Sequence, residues 1–352
     1  MKIKLRQAFD LQMGKTPARN RPDYWNGDHK WISIADIGNA GKFLTKTKES
    51  ITEAGIDGSG IKVVPQGTVI MSFKLSIGKT AITSEDMYTN EAIMAFIDNG
   101  KFAIDTDYLY HLCCGTNWAA GTNKAVMGLT LNKATLLEKE IPLPDINEQH
   151  EIATKLDKID AIIAERQQQL ELIDQAVKSR FIELFGDPET NPKGWTRQRL
   201  DQICENLDSR RVPITSTNRK AGNYPYYGAS GIVDYVKDYI FDEDILLISE
   251  DGANLVMRST PIAFSVSGKV WVNNHAHVVR FESKATQKYI EICFALTDIS
   301  GSITGTAQPK LNQAKLNAMM FCVPPIELQE QFAAFVEQTD KSKLCGKMEV
   351  AA

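Results

Sequence analysis

The 352-residue sequence contains no run of about 18 apolar residues, the length that a helix needs to cross a lipid bilayer. Its N-terminal segment, MKIKLRQAFDLQMGK, lacks the apolar stretch of a secretory signal peptide. The six cysteines form no C-x-x-C pair, which argues against a zinc site or a redox motif. Sparse, unpatterned cysteine suits a reducing compartment, so we expect a cytoplasmic protein without a membrane span.

The chain also lacks an excess of positive charge. Its 40 lysines and arginines are outnumbered by 44 aspartates and glutamates, which gives a net charge of −4. A protein of this charge cannot bind nucleic acid through a surface that is basic throughout. Any such contact requires basic residues that are concentrated locally.

Motifs for nucleotide chemistry are incomplete. Gly-Lys-Thr occurs at 14–16 and 78–80, but Phe9 and Phe73 replace the glycine that a P-loop needs five positions earlier. No G-x-G-x-x-G fingerprint is present, and Asn191-Pro192 is followed by Lys193 rather than by the second proline of an amino-methyltransferase motif. We therefore expect no catalytic site and no bound cofactor in this chain.

One combination of residues leaves an enzyme as an alternative. Glu282 and Lys284 fit the E-x-K half of a metal-dependent nuclease site, and Asp251 is a conceivable first carboxylate. Such triplets are frequent in proteins without nuclease activity. His275 and His277 lie one residue apart on a predicted strand, and without a third ligand we interpret them as a polar surface pair rather than a metal site.

The chain contains an internal repeat at an offset of 180 residues. The matching residues are Leu131, Asn132, Ala134, Leu136, Pro144, Ile146, Gln149, Ala153 and Asp160, which recur as Leu311, Asn312, Ala314, Leu316, Pro324, Ile326, Gln329, Ala333 and Asp340. Nine matches in one register within 30 positions exceed what chance produces, and the offset is too long for a solenoid repeat. The repeat therefore predicts two tandem, domain-sized units.

Residues 146–185 separate the two units and contain neither glycine nor proline. Their apolar residues recur mostly at steps of three and four, as in a coiled-coil seam: Ile152, Leu156, Ile159, Ile163, Leu170, Ile173, Val177, Phe181 and Leu184. Gly186 and Pro188 supply a stop. A buried core helix is the alternative, but the narrow seam favours a long antiparallel partner, and the repeat offers Phe332, Val336 and Thr339 for that role.

The remaining sequence favours mixed α/β structure (α+β) with short sheets. We predict strands at 30–35, 67–72, 91–97, 240–249, 261–265, 269–272 and 277–281, and short helices at 108–113 and 288–296. The expected organisation is a first globular domain at 1–145, a central helix at 146–186, a second globular domain at 187–325, and a distal helix with a tail at 326–352.

Several predicted loops combine basic, aromatic and small polar residues. Lysine and arginine neutralise phosphates, whereas asparagine, arginine and serine can contact base edges. An ordinary solvated loop remains the alternative for each residue. The candidates are Lys15, Thr16, Arg19, Tyr24, Trp25, Lys74, Ser76, Lys79, Asn117 and Lys124 in the first half, and Arg210, Arg211, Lys220, Tyr226, Tyr227, Ser230, Lys269, Asn273, Asn274 and His275 in the second.

This organisation resembles the specificity (S) subunits of type I restriction–modification systems over essentially the whole chain. The segments that carry the resemblance are Gly14–Pro17, Tyr24–Gly27, Leu131–Leu136, Ile141–Gln149, Leu184–Pro188, Asn191–Trp195 and Val323–Gln331. The helix-entry motifs are specific as a repeated set and weak singly.

The resemblance implies that each globular part is a target-recognition domain that reads one half of a bipartite double-stranded DNA target. It also implies that the helices fix the spacer and bind two modification (M) subunits, which use S-adenosylmethionine to methylate adenine N6. Restriction (R) subunits, with ATP and Mg²⁺, would cleave the DNA. The chain itself would be non-catalytic and free of cofactor.

One departure concerns the distal helix. The seam is lost after Lys343, so we expect a helix of at most about 17 residues and an unrelated tail, with a poorer second M-subunit site. Besides the nuclease, the remaining alternative is a coiled-coil adaptor that does not bind DNA.

Overall fold

The computed structural model describes residues 1–74, 76–118, 124–125, 128–129, 131–305 and 308–351, with the backbone alone at 124–125, 128–129 and 344–351. Two compact units divide the chain, a first unit at Met1–Ile162 and a second unit at Ile163–Ala352. The mixed α/β class with tandem units and a long helix agrees with the prediction from the sequence.

The first unit begins with short strands and ends inside the long helix. Its strands are β1 (Lys2–Lys4), β2 (Phe9–Met13), β3 (Trp25–Ile32), β4 (Phe43–Leu44), β5 (Glu49–Ile51), β6 (Val69–Ser72), β7 (Thr80–Thr83), β8 (Tyr88–Thr89), β9 (Ile93–Asp98), β10 (Lys124–Ala125), β11 (Gly128–Leu129) and β12 (Glu140–Pro142). Its helices are α1 (Leu5–Ala8), α2 (Ile34–Asn39), α3 (Glu53–Ser59), α4 (Thr106–Gly115), α5 (Lys133–Leu137) and the start of α6 (Ile146–Phe185).

The second unit contains the end of α6 and a similar set of elements. Its strands are β13 (Arg197–Arg199), β14 (Glu205–Asn206), β15 (Ala221–Gly228), β16 (Gly231–Val236), β17 (Phe241–Asp242), β18 (Ile245–Ser249), β19 (Ala263–Val266), β20 (Lys269–Val272), β21 (Ala276–Arg280) and β22 (Met320–Cys322). Its helices are α7 (Leu200–Ile203), α8 (Asn254–Met257), α9 (Lys284–Leu296), α10 (Gln313–Asn317) and α11 (Ile326–Ala351).

The strand orders show that the two units share a central arrangement of strands, although the sheets have five and three strands in the first unit and four each in the second. The first unit contains the sheets β2-β9-β6-β7-β4 and β5-β3-β8, and the second contains β14-β21-β18-β19 and β16-β15-β20-β17. In each unit one sheet is built on three successive antiparallel pairings, and the other has a central strand with one antiparallel and one parallel neighbour. The fold therefore repeats across both units, well beyond the 30 positions where sequence identity reveals the repeat.

Continuous apolar sequences form the central strands because both faces of these strands are covered. Every residue of β6 and of β18 is buried. Helix α4 contacts β6 and β7, and α9 contacts β18 and β19. Side-chain caps begin these helices, since the Asp105 carboxylate accepts a hydrogen bond from the Tyr108 N–H at 2.7 Å and the Ser283 hydroxyl oxygen accepts one from the Ala285 N–H at 3.1 Å.

The repeated L-N-x-A-x-L motif closes each unit. Asn132 Oδ1 accepts a hydrogen bond from the Thr135 N–H at 2.8 Å, and Asn312 Oδ1 accepts one from the Lys315 N–H at 2.9 Å. The leucines on either side are buried. The strand that follows pairs antiparallel with the first strand of the same unit, β12 with β1 and β22 with β13. The sequence repeat therefore encodes the closure of the scaffold.

The helix predicted at residues 146–185 is confirmed as α6. In the second unit its last turns pack antiparallel to α11: the Phe181 and Phe332 rings lie 5.5 Å apart, and Lys343 Nζ lies 2.6 Å from Asp174 Oδ1. Among the predicted seam residues Val177, Phe181, Phe332 and Val336 are buried in one core, Ile152, Leu156, Ile163, Leu170 and Ile173 are half-buried, and Ile159 is 51% exposed.

The expected end of the distal helix after Lys343 is wrong. Helix α11 continues to Ala351, eight residues further. The segment contains no proline, and a single Gly346 costs only about 1 kcal/mol within a helix, so loss of the seam did not stop it.

Candidate nucleic-acid interface

The loop at residues 14–24 of the first unit is held close to the backbone after β8. The Lys15 N–H donates to the Thr89 carbonyl at 2.8 Å. A Cβ atom on Gly14 would lie 2.0 Å from that same carbonyl oxygen, so only glycine permits the approach. Lys15 Nζ reaches the Ser59 carbonyl at 3.2 Å, and its side chain remains exposed.

Three of the predicted contact residues converge on Glu91. The Thr16 hydroxyl donates to its carboxylate, while Arg19 and Lys74 add positive charge nearby. Burial raises the pKa of Glu91, but the Thr16 hydrogen bond and the two cations outweigh this effect and hold the pKa below its usual range. The carboxylate is therefore ionised, and its negative charge attracts both basic side chains.

The aromatic residues of this loop mainly support it. Trp25 is half-buried, its Nε1 donates to the Ala18 carbonyl at 3.2 Å, and its ring packs edge-to-face on Trp31 at 5.1 Å. The half-buried Tyr24 ring lies against Gly58 of α3. These contacts fix the loop, and both side chains remain partly exposed.

A second loop of the first unit joins β6 to β7. The Ser72 hydroxyl donates to the Ser76 carbonyl, and Ser72 Oγ accepts from the Lys79 N–H at 3.1 Å. Ser76 and Lys79 are exposed at its tip, and half-buried Lys74 lies 5.2 Å from the Phe73 ring. Asn117 is exposed elsewhere in the unit. The Lys124 backbone belongs to β10, and its side chain lies outside the described residues.

The two adjacent arginines of the second unit have different environments. Arg210 is exposed, with NH1 2.7 Å from Glu243 Oε1 and its guanidinium 4.6 Å from the Phe241 ring. Arg211 is only 13% exposed at its side chain. Its NH1 donates to Glu250 Oε2 at 2.6 Å and to the Ala276 carbonyl at 2.8 Å. Arg211 therefore holds the domain together, and Arg210 is the one that is open to a ligand.

The interpretation of His275 and His277 as a surface pair is wrong for His277. His277 lies inside β21, where four successive residues are buried, and it is fully buried, whereas His275 precedes the strand and stays exposed. His277 Nδ1 lies 2.5 Å from Asp208 Oδ2 and Nε2 lies 2.7 Å from the Leu311 carbonyl. The imidazole thus connects the loop after β14 to the repeated closure motif.

Several predicted contact residues of the second unit are also structural. Tyr226 is 1% exposed, and Asn273 is buried with Oδ1 accepting from the His275 N–H at 2.8 Å. Tyr227 is half-buried, and His275 Nδ1 lies 2.9 Å from Asp251 Oδ2. The exposed members are Lys220, Ser230, Lys269 and Asn274, with Lys269 Nζ 4.8 Å from the Tyr239 ring.

The residues that would form a nuclease site have other partners. Asp251 contacts His275, and Lys284 Nζ lies 2.8 Å from Asp244 Oδ2. In the part of the chain that the structure describes, no three His, Cys, Asp or Glu side chains are arranged to hold a metal ion.

Sequence reasoning missed the buried acids that organise the second unit. Glu250 accepts from Arg211 and lies 3.1 Å from Lys310 Nζ, and Asp208 accepts from the Val278 N–H at 2.8 Å. Burial raises the pKa of Asp208, but the interactions with His277, the Val278 N–H and Arg211 together outweigh it and lower that pKa. Only the pairing of distant segments reveals these acids, since each is surrounded by unremarkable residues in the sequence.

Comparison with known proteins places this geometry in a family. The family described as "Type I restriction modification DNA specificity domain" matches residues 1–173 and 192–346, nearly the whole chain. The chain belongs to the type I restriction–modification specificity subunits. It is thus a DNA-recognition subunit, and its relatives are named as specificity subunits rather than as catalytic chains.

Two full-length relatives support the assignment. The MjaIX specificity subunit of Methanocaldococcus jannaschii is 25% identical, with 95% of this chain and 85% of the relative covered. The EcoprrI specificity subunit of Escherichia coli is also 25% identical, with 96% and 87% covered. A specificity subunit of Haemophilus influenzae, S.HindORF215P, is 32% identical, but only over 39% of this chain and 35% of that protein.

A solved structure shares the fold of this specificity subunit. The S subunit from M. genitalium superposes with a TM-score of 0.57 at 16% identity, covering 100% of this chain and 92% of that one. Within the described ranges, no helix of the subunit is both long and apolar enough for a membrane span.

Proposed function

We propose that this specificity subunit binds a bipartite duplex DNA target, with one half-site read by each unit. The observation that carries the proposal is the repeated central arrangement of strands: each unit has a pair of corresponding sheets, and each presents a loop with exposed basic and polar side chains. Two equivalent binding surfaces suit a target of two parts, and helix α6, which belongs to both units, would set their spacing.

The proposed contact surface is narrower than the set of candidates from the sequence. The side chains proposed to reach DNA are Lys15, Ser76, Lys79, Asn117, Arg210, Lys220, Ser230, Lys269, Asn274 and His275, all of which are exposed. Arg19 is also exposed, but it is paired with Glu49 and would support the surface. The half-buried Thr16, Tyr24, Trp25, Lys74 and Tyr227 would contribute at its edges. Arg211, Tyr226 and Asn273 would support the surface from inside the domain.

The chemistry would belong to partner chains. Two modification subunits would bring S-adenosylmethionine and methylate adenine N6, and restriction subunits would cleave DNA with ATP and Mg²⁺. The specificity subunit would contribute the choice of sequence and require no cofactor of its own. Its acidic net charge of −4 is compatible with this role, because only two local surfaces need to face phosphates.

Adenine-methylation mapping tests the proposal. DNA from a host that expresses this subunit with its modification subunit is compared with DNA from a host that lacks only the specificity subunit. We expect a new methylated motif of two short sequences with a fixed gap. A continuous motif, or no new motif although native mass spectrometry shows the two-M, one-S assembly, would contradict it.

A further inference from the structure

Arg19 of the first unit forms a contact that ties its loop to the sheet. Its NH1 and NH2 donate to the two carboxylate oxygens of Glu49 on β5, the second at 3.0 Å. Its guanidinium also lies 5.1 Å from the ring of Trp31 on β3. The Trp31 indole N–H in turn donates to the Lys15 carbonyl at 3.0 Å, so the loop is bound to the sheet near its start and at its middle.

Arg219 of the second unit makes the corresponding set of contacts. Its NH1 donates to Asp234 Oδ2 on β16 at 3.2 Å, and its guanidinium lies 4.5 Å from the ring of Tyr226 on β15. The Tyr226 hydroxyl accepts from the Ile214 N–H at 3.0 Å, and Arg219 Nε donates to the Ile214 carbonyl at 3.1 Å.

The strand registers show that the two sets occupy the same place in the fold. Trp31 pairs directly with Glu49 across the antiparallel ladder, and Tyr226 pairs directly with Asp234. On the other side, Trp31 pairs with Tyr88 and Tyr226 pairs with Trp271, both in parallel ladders. In each unit, therefore, a central aromatic residue has an acid as its partner on one neighbouring strand and an aromatic residue as its partner on the other.

The sequence repeat does not account for this match. The arginines are 200 residues apart, the central aromatics 195 and the acids 185, as Arg19 to Arg219, Trp31 to Tyr226 and Glu49 to Asp234 show. Insertions of different length separate the three positions in each unit, yet the same three kinds of side chain meet. The match is therefore visible in the strand register and not in sequence identity at one fixed offset.

We propose that Arg19–Trp31–Glu49 and Arg219–Tyr226–Asp234 are equivalent latches that position the DNA-contacting loop of each unit, residues 14–24 and 212–220. This inference rests on the proposed function for what the loops contact. The arginines act through the loops and are positioning residues. Their guanidinium groups already bind carboxylates, so they are poorly available to bind a phosphate group.

Electrostatics around the first latch agree with this role. The hydrogen bond from Arg19 holds the pKa of Glu49 below its usual range, and Glu49 raises the pKa of Arg19. In the second latch, the Tyr235 backbone N–H and then Arg219 lower the pKa of Asp234. Both acids are thus ionised at neutral pH, and both ion pairs persist wherever the proposed complex would operate.

Hydrogen exchange on the subunit in its complex with modification subunits tests the latch without DNA. Arg19→Ala and Glu49→Gln should each speed amide exchange within residues 14–24, and the double variant should add nothing, because both single changes break one contact. Arg219→Ala and Asp234→Asn should do the same for 212–220. Unchanged exchange in these variants would overturn the latch whether or not the proposed function holds.

Binding to the motif found by methylation mapping gives the second measurement, with duplexes in which one half-site is scrambled. Arg19→Ala and Glu49→Gln should each reduce discrimination at one half-site by roughly 2- to 5-fold, the range for a partly exposed ion pair, and leave the other half-site unaffected. The second-latch variants should affect only the other half-site. A wild-type complex without half-site discrimination would instead refute the proposed function.

Direct DNA contact by the arginine makes different predictions. Glu49→Gln would then tighten DNA binding, because it frees the guanidinium. Arg19→Lys would bind DNA as tightly as the wild type, and Arg19→Ala would lower the salt slope of binding by about 0.9. Any of these results overturns the latch. The matched control is Arg21→Ala, since Arg21 pairs with Asp23 and stacks on Tyr24 within its own turn. Equal loss of discrimination in this control would also overturn it.

Discussion

Phe332 of α11 packs edge-to-face on Phe181 of α6, with ring centroids 5.5 Å apart and both side chains fully buried. Phe185 lies 5.5 Å from the same Phe332 ring, so one aromatic residue of α11 fills the space beside two turns of α6. This contact binds the end of the long helix to the repeat helix inside the second unit.

Phe332→Ala should therefore destabilise the second unit by about 3–5 kcal/mol, the usual cost of removing a buried phenylalanine. Urea unfolding followed by tryptophan fluorescence and circular dichroism measures the change. The control is Ile182→Ala on the neighbouring, exposed position of α6, which should cost less than about 1 kcal/mol. Similar losses in both variants would contradict the packing.

The ion pairs of Glu243 should stabilise the folded protein at neutral pH and lose this effect in acid. Its carboxylate lies 2.7 Å from Arg210 and 2.8 Å from Arg280. Burial raises the pKa of Glu243, but the two arginines outweigh it and lower that pKa. Because the folded pKa is depressed, the stabilisation is present above the unfolded value of about 4.3 and is lost as pH falls through the folded pKa.

Glu243→Gln should consequently lower the free energy of unfolding by about 1–2 kcal/mol at pH 7, a range reduced for the exposure of both arginines. Urea titrations at pH 7, 5, 4 and 3 should show the difference from wild type shrinking towards the acid end. A difference that is constant with pH would show that the ion pairs contribute nothing. Arg210 and Arg280 stay charged throughout, so the carboxylate is the group that titrates.

Variants of Arg211 and Lys220 should distinguish a residue that stabilises the fold from a residue that contacts DNA. Arg211→Ala leaves Glu250 buried with its guanidinium partner removed, so we expect a loss of about 2–4 kcal/mol in unfolding free energy. Exposed Lys220→Ala should leave stability within about 0.5 kcal/mol and weaken DNA binding with a salt slope lowered by about 0.9. Affinity measured from 50 to 200 mM salt, beside thermal unfolding, decides between these roles. A stable Arg211→Ala variant with weakened DNA binding, together with a destabilised Lys220→Ala variant, would exclude both assignments.

Gly14 provides a backbone test of the first loop. Gly14→Ala places a methyl group 2.0 Å from the Thr89 carbonyl oxygen, so the loop must move at a cost of about 1–3 kcal/mol. Recognition of one half-site should weaken accordingly. Gly41→Ala is the control, since its Cβ would meet no atom within 4 Å and should change stability by less than about 1 kcal/mol. Methylation rates on scrambled half-sites and unfolding curves give both readouts.

The sequence alone determined the parts of this protein that local pattern specifies. Heptad spacing without glycine or proline predicted α6, apolar runs predicted the central strands, and the L-N-x-A-x-L motif predicted two units. The predicted strand at 240–249 was interrupted at Glu243 and Asp244, whose carboxylates bind cations from distant segments. Identity at a fixed offset detected only the closure of each unit and the start of the helix that follows it, because buried leucines and capping asparagines tolerate little change.

The tertiary structure decided which polar residues are available. Arg210 and Arg211 are adjacent in the sequence, yet one is exposed and the other is buried against Glu250, 39 residues later. The two latches also emerge only from strand register, since their members are separated by loops of different length. Ion pairs and stacking depend on positions in space rather than on spacing along the chain, and pairing in a sheet brings together residues that no local periodicity connects.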